Sequence, residues 1–195
     1  MNDGQIIAGT ERYDIIKKTI NEFNPKTILE IGTWKGMGST KCILDCISEG
    51  VEFYSLESNK EFFDIAKNNL KEYDNKFNQI FGKIIETEKV IDYVKDYTLS
   101  KDEETWLEED ILNFKSCDNV INLIPEKIDL LLLDGGEFST YLEWLILKER
   151  VKIVMLDDID VFKCKRIYEE LIKNTNYSLL YKTEEGNGFC VFKQY

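Results

Sequence analysis

The stretch IDLLLLDGGEF, residues 128–138, decides how the chain is read. From Ile128 to Leu133 it is apolar at every position but Asp129, which suits a strand buried on both faces of a sheet. It stops on Asp134, and Gly135, Gly136 and Glu137 follow. Such a strand presents carboxylates at its C-terminal end, beside backbone that a ligand can approach closely.

Similar apolar or β-rich runs recur on both sides. Thr27–Ile31, Glu52–Leu56, Asn78–Phe81 and Lys152–Leu156 read as further strands. Amphipathic runs separate them: Arg12–Phe23, Thr40–Ser48, Phe62–Tyr73, Tyr141–Lys148 and Lys163–Lys173. Strands alternating with helices predict βαβ units and a mainly parallel sheet. The tail NYSLLYKTEEGNGFCVFKQY holds two β runs joined by Glu184–Gly188, close enough to pair only as an antiparallel hairpin. The 195 residues are expected to form a single domain. Residues 86–127 exceed what one connection needs. Within them SKDEETWLEEDILNF predicts a helix capped by Ser100, with Trp106, Ile111 and Phe114 facing inward: a helical insertion and candidate lid.

Composition narrows the chemistry. The net charge of −12 repels phosphate backbones, so no nucleic-acid partner is expected. No apolar run approaches a membrane span, and no basic segment leads into an apolar one at the N-terminus, so the expected location is the cytoplasm, without membrane association. Five cysteines without a CxxC pair are expected to be reduced, mostly buried thiols. The chain has no histidine. That removes Cys/His zinc sites and every Ser-His or Cys-His pair, and leaves acid–base work to Asp, Glu, Lys, Tyr or Cys.

The first strand runs into a glycine turn, TILEIGTWKGMGSTKCI. Gly32 is expected to bend the chain away, Gly36 and Gly38 to allow close approach to a ligand, and Ser39 or Thr40 to cap the next helix. Glu30 is a buried acid in need of a partner, for which a ligand's ammonium group would serve. The spacing is neither GxGxxG nor GxxxxGK[ST], which argues against a dinucleotide and against a triphosphate. The second strand ends FYSLESN, with Glu57 placed 19 residues after Gly38, where an acid can accept both hydroxyls of a ribose.

Taken in order, E-x-G-x-x-x-G after the first strand, an acid ending the second, D-G ending the fourth and a terminal hairpin resemble the class I S-adenosylmethionine-dependent methyltransferases. The resemblance implies a Rossmann-like α/β fold: a seven-stranded, mostly parallel sheet in the order 3-2-1-4-5-7-6, strand 7 antiparallel, with helices on both faces. It implies S-adenosylmethionine as cofactor, bound by Glu30, Gly32, Thr33, Gly36, Gly38, Glu57, Ser58, Gly82 and Asp134, with the turn at Phe81–Lys83 bordering the adenine.

The fifth strand ends MLDDID, and neighbouring strands lie about 4.8 Å apart, so Asp134, Asp157 and Asp158 are expected to converge. Three carboxylates together call for a cation, and oxygen ligands suit Mg²⁺ or another divalent ion. That set is similar to the site of metal-dependent O-methyltransferases, such as catechol O-methyltransferase and the macrolide-sugar O-methyltransferases. The sugar branch often has D-G-x-H here, with the histidine as base; this chain has Asp134-Gly135-Gly136-Glu137, so Asp134 and Glu137 are the expected catalytic residues. The function expected is methyl transfer to a hydroxyl of a small molecule or sugar, such as a surface-glycan precursor. The alternatives are a dinucleotide-dependent oxidoreductase and a non-catalytic Rossmann-like binding module. A homo-oligomer is compatible with either.

Overall fold

The computed structural model describes residues 6–195. Among these residues seven strands form one sheet: β1 (Thr27–Ile31), β2 (Glu52–Glu57), β3 (Asn78–Phe81), β4 (Ile128–Leu133), β5 (Val151–Asp157), β6 (Tyr177–Thr183) and β7 (Phe189–Gln194). Their order is β3-β2-β1-β4-β5-β7-β6, as expected. The pairs β1–β2, β1–β4, β2–β3 and β4–β5 are parallel, whereas β7 is antiparallel to both β5 and β6. The hairpin tail produces that reversal, since its short joint, with Gly186 and Gly188 at positive φ, forces neighbours to run oppositely.

Among the described residues seven α-helices accompany the strands: α1 (Glu11–Phe23), α2 (Ser39–Cys46), α3 (Lys60–Asn69), α4 (Thr87–Val94), α5 (Lys101–Ser116), α6 (Thr140–Leu147) and α7 (Phe162–Leu171). Alternation along the central strands splits the core between the two faces. Ile28, Leu130, Leu132, Ile153 and Met155 pack with Ile16, Ile20 and Ile43 of α1 and α2. Leu29, Ile31, Leu131, Leu133 and Val154 pack with Trp144, Leu147 and Ile167 of α6 and α7. Among the described residues no helix is long and apolar enough to cross a membrane. The five cysteines are free thiols, all buried except the half-buried Cys46.

The register brings four strand ends level. Ile31 lies opposite Leu56 and Leu133, and Leu133 lies opposite Leu156. One residue further on, Gly32, Glu57, Asp134 and Asp157 therefore stand in a row along the C-terminal edge.

The insertion differs from expectation. It holds two helices, because TEKVIDYV forms α4 ahead of α5. Ser100 caps α5 in a full capping box with Glu103, as its sequence predicts. Phe114 faces inward, but Trp106 is 50% exposed. The inward stripe runs through Leu107, Asp110 and Phe114, and one step of about 100° carries Trp106 off it. Ile85, Val90, Val94, Phe114 and Phe138 make a third, smaller apolar cluster beneath these helices.

Candidate active site

The glycine turn is built by close contact with β4. Gly32 has φ +97°, and a Cβ there would lie 2.1 Å from the carbonyl oxygen of Asp134. Only glycine fits, which brings the turns after β1 and β4 together. Gly36 (φ +78°) serves packing instead: its missing Cβ makes room for Ala66 of α3 and for Leu70, which ends that helix. It lines neither cavity at this edge, contrary to the ligand role expected of it.

Glu30 also departs from expectation. It is fully buried and lines neither cavity. Its Oε1 accepts from Ser39 Oγ at 2.6 Å, and its Oε2 from Thr40 Oγ1 at 2.7 Å and Ser55 Oγ at 2.6 Å. Ser39 and Thr40 thus spend their hydroxyls on Glu30 and do not cap α2; Gly38 is the residue that precedes the helix. Burial pushes the Glu30 carboxyl up to about 7 against the three hydroxyl donors. The partner this acid requires is the protein itself, and Glu30 fixes the turn from beneath.

Two cavities open above the row of strand ends. The larger, about 490 Å³, is lined by Gly32, Trp34, Glu57, Ser58, Gly82, Asp134, Gly135 and Gly136 from the strand ends, and by Asp110, Asn113 and Phe114 of α5. Glu57 sits in its wall. The Oε2 of Glu57 accepts from Trp34 N–H at 2.7 Å and its Oε1 from Asn59 N–H at 2.8 Å. Burial pushes this carboxyl up to about 7 in spite of those amides. Glu143, also in this wall, is pushed by burial to about 8, and its Oε2 has no hydrogen-bond partner. Asp110 is raised by burial to about 6. With Glu143 held protonated by its burial, Glu57, Glu109, Asp110 and Asp134 still face this cavity against Lys83, the one basic residue among those lining it, so it is an electronegative chamber.

The smaller cavity, about 290 Å³, is lined by Ile6, Gly32, Thr33, Trp34, Gly38, Ser39, Asp134, Asp157, Asp158 and Lys163. Gly32, Trp34 and Asp134 are common to both chambers. Thr33 and Gly38 therefore border the second chamber, and Ser58 and Gly82 the first.

Asp134, Asp157 and Asp158 converge as expected, each offering an oxygen within 4.8 Å of the others. The cation among them is an amino group. Lys163 Nζ lies 2.7 Å from Asp134 Oδ1, 2.7 Å from Asp158 Oδ2 and 4.0 Å from Asp157 Oδ2. Arg12, reaching over from α1, places Nη1 2.9 Å from Asp157 Oδ1. Burial alone would strip the Lys163 proton, but Asp134, Asp157 and Asp158 more than offset it and hold the group charged. Burial raises Asp134 and Asp157 too, with Lys163 opposing in both. A divalent ion does not fit this arrangement. Its position is filled, and contacts of 2.7 Å suit N–H donors, whereas Mg²⁺ takes oxygens at about 2.0–2.1 Å and Ca²⁺ at about 2.3–2.6 Å.

Glu137 is not at the acceptor side. It lines neither cavity, and its Oε1 accepts from the backbone N–H of Lys163 at 3.0 Å in the first turn of α7. Burial raises this carboxyl. The expected base is a helix cap. The opening stretch thereby resolves: its two acids hold one lysine at opposite ends, Asp134 by the ammonium and Glu137 by the backbone. Lys163, Arg12, Asp110 and Glu143 were not singled out from the sequence. The acid cluster's need for a cation was the signal for Lys163, a charged residue set between the apolar Phe162 and Cys164.

A parallel sheet in this order with one reversed strand, a glycine turn after β1 and acids after β2, β4 and β5 is the fold of the class I methyltransferases. No protein-family model matches the sequence, and no curated protein resembles it in sequence. Solved structures do resemble it. A methyltransferase of Geobacter sulfurreducens superposes with a TM-score of 0.65 at 9% identity, over 96% of this chain and 80% of its own. An O-methyltransferase of Bacillus cereus, solved with S-adenosylhomocysteine, gives 0.64 at 15% identity, over 100% and 85%. The O-methyltransferase TomG of Streptomyces achromogenes, involved in tomaymycin synthesis and solved with S-adenosylmethionine, gives 0.64 at 12% identity, over 97% and 82%.

Proposed function

We propose that this chain is an S-adenosylmethionine-dependent methyltransferase acting on a hydroxyl of a small polar molecule such as a sugar. The observation that carries the reading is the electronegative chamber joined to a second chamber through Asp134. A sulfonium cofactor is cationic and gains from such a field, whereas the pyrophosphate of a dinucleotide is repelled by it. The dinucleotide alternative is therefore disfavoured by charge as well as by glycine spacing.

Within this reading Glu57 holds the ribose hydroxyls, and Gly32 and Trp34, common to both chambers, border the methionine part. S-adenosylmethionine supplies the methyl group. The acceptor oxygen lies in the smaller chamber, whose polar lining suits a hydroxylated ring; a glycan precursor fits this description. Held at Glu57, the cofactor would give its methyl to the acceptor oxygen and keep the electron pair of the broken C–S bond on its sulfur. The hydroxyl proton passes to Asp134, the carboxylate that borders both chambers. Alignment of the three atoms supplies much of the acceleration. Helix α5 walls the larger chamber and is its cover.

Calorimetry tests the reading. S-adenosylhomocysteine is expected to bind and NAD⁺ not to. Glu57→Ala is expected to weaken S-adenosylhomocysteine by about 1.5–3 kcal/mol, the range for hydrogen bonds to a charged group. Because the bound carboxylate must be ionised, affinity should also fall as pH drops below about 7, where Glu57 takes up a proton. Absence of binding in the folded wild type defeats the proposal.

A further inference from the structure

The acid cluster after β4 and β5 calls for a cation, and the protein supplies one covalently attached. Three features place it. Lys163 Nζ lies equally close, at 2.7 Å, to carboxylates from two different strand ends. Its backbone N–H is fixed by Glu137, so the first turn of α7 is held where the side chain points back to the sheet edge. Arg12 neutralises Asp157 from the far side, so the cluster carries two cations against three carboxylates.

We propose that the Lys163 ammonium stands permanently in the place of a divalent cation, so that this site works without metal and meets the acceptor's oxygen with an N–H donor. An ammonium has three donors. Two face Asp134 and Asp158, and Asp157 Oδ2 at 4.0 Å is too far to take the third. Lys163 lines the smaller chamber, where the acceptor oxygen is the complementary partner for that third N–H. There the ammonium orients the hydroxyl and stabilises negative charge as it builds on oxygen. The proposal rests on the methyltransferase reading only for the identity of that oxygen; occupation of the cation position by lysine does not depend on it.

A second consequence separates this cluster from a surface patch of acids. Removing the amino group leaves carboxylates gathered around an empty centre, which a divalent cation can then enter. Titration with Mn²⁺, followed by the resonance signal of the free ion, reads this directly. Wild type is expected to leave Mn²⁺ free up to millimolar concentration. Lys163→Ala is expected to bind one Mn²⁺ per chain, about tenfold or more tighter than wild type. Added Mn²⁺ should raise the melting temperature of Lys163→Ala and leave that of wild type unchanged. One tight Mn²⁺ in wild type, lost in Asp134→Asn, overturns the proposal. So does a folded Lys163→Ala that binds no Mn²⁺. If Lys163→Ala does not fold, Lys163→Met keeps the length of the side chain without its charge, and the wild-type titration decides alone. S-adenosylhomocysteine binding on the same samples keeps the two readings apart. Loss of that binding removes the methyltransferase assignment and leaves the cation result standing, and a metal-binding wild type does the reverse.

Discussion

Glu143→Gln should make the protein more stable, and more so the higher the pH. Glu143 lies in α6 at 2% exposure, with one carboxyl oxygen unpaired. Burial lifts its pKa from 4.5 to about 8. The folded state therefore holds a proton on this group that the unfolded chain releases above about pH 4.5. Between those values the native state binds more protons than the unfolded state, so stability falls as pH rises. Each unit of separation is worth about 1.4 kcal/mol, and the window spans somewhat over three units, so the wild type loses about 3–5 kcal/mol from this residue by pH 8. Glutamine has the shape of the protonated acid and never ionises. The two proteins should be nearly equal at pH 5 and diverge steadily to about 3–5 kcal/mol at pH 8. Urea unfolding at half-unit steps of pH, with a common slope for both proteins, measures the difference. A constant difference between pH 5 and pH 8, of either sign, refutes the reasoning.

Two further outcomes follow from the site. Trp34 lines both chambers and meets Phe62 edge-on, so ligand-induced change in tryptophan emission should vanish in Trp34→Phe and persist in Trp106→Phe; the reverse pattern would contradict this placement. Glu137→Ala should cost about 1 kcal/mol as a lost helix cap while leaving S-adenosylhomocysteine affinity unchanged, and a loss of affinity without loss of stability would contradict the capping role.

What the sequence made legible was local. TILEI, NQIF and IDLLLL are strands within the bounds read from them, because β-rich runs of that length between turn residues have few other solutions. The strand order came with the family resemblance, and the register then levelled Gly32, Glu57, Asp134 and Asp157. The need of Glu30 for partners was legible; that they are hydroxyls was not, although two of the three open the next helix. Glu137 was misread because its partner lies 26 residues away and is a backbone amide, which no residue type advertises. Arg12 meets Asp157 across 145 residues, a distance that only the sheet order closes. Lys163 was assigned to an ordinary helix because period 3.6 does not distinguish a lysine in water from one turned into the first turn's concave side.

Phe138 ends the stretch on which the reading began, and it is fully buried in the apolar cluster beneath α4 and α5. Its backbone N–H also faces Asp110 of α5 at 3.5 Å. Five consecutive residues therefore carry the grip on Lys163 at one end and the anchor of the cover at the other. The cover rests on that cluster, and Tyr93, Leu142 and Ile146 tie it to the core on one face of the sheet. The cover and the aim of the ammonium are therefore tied to one short run of backbone, and a substitution at Phe138 bears on both.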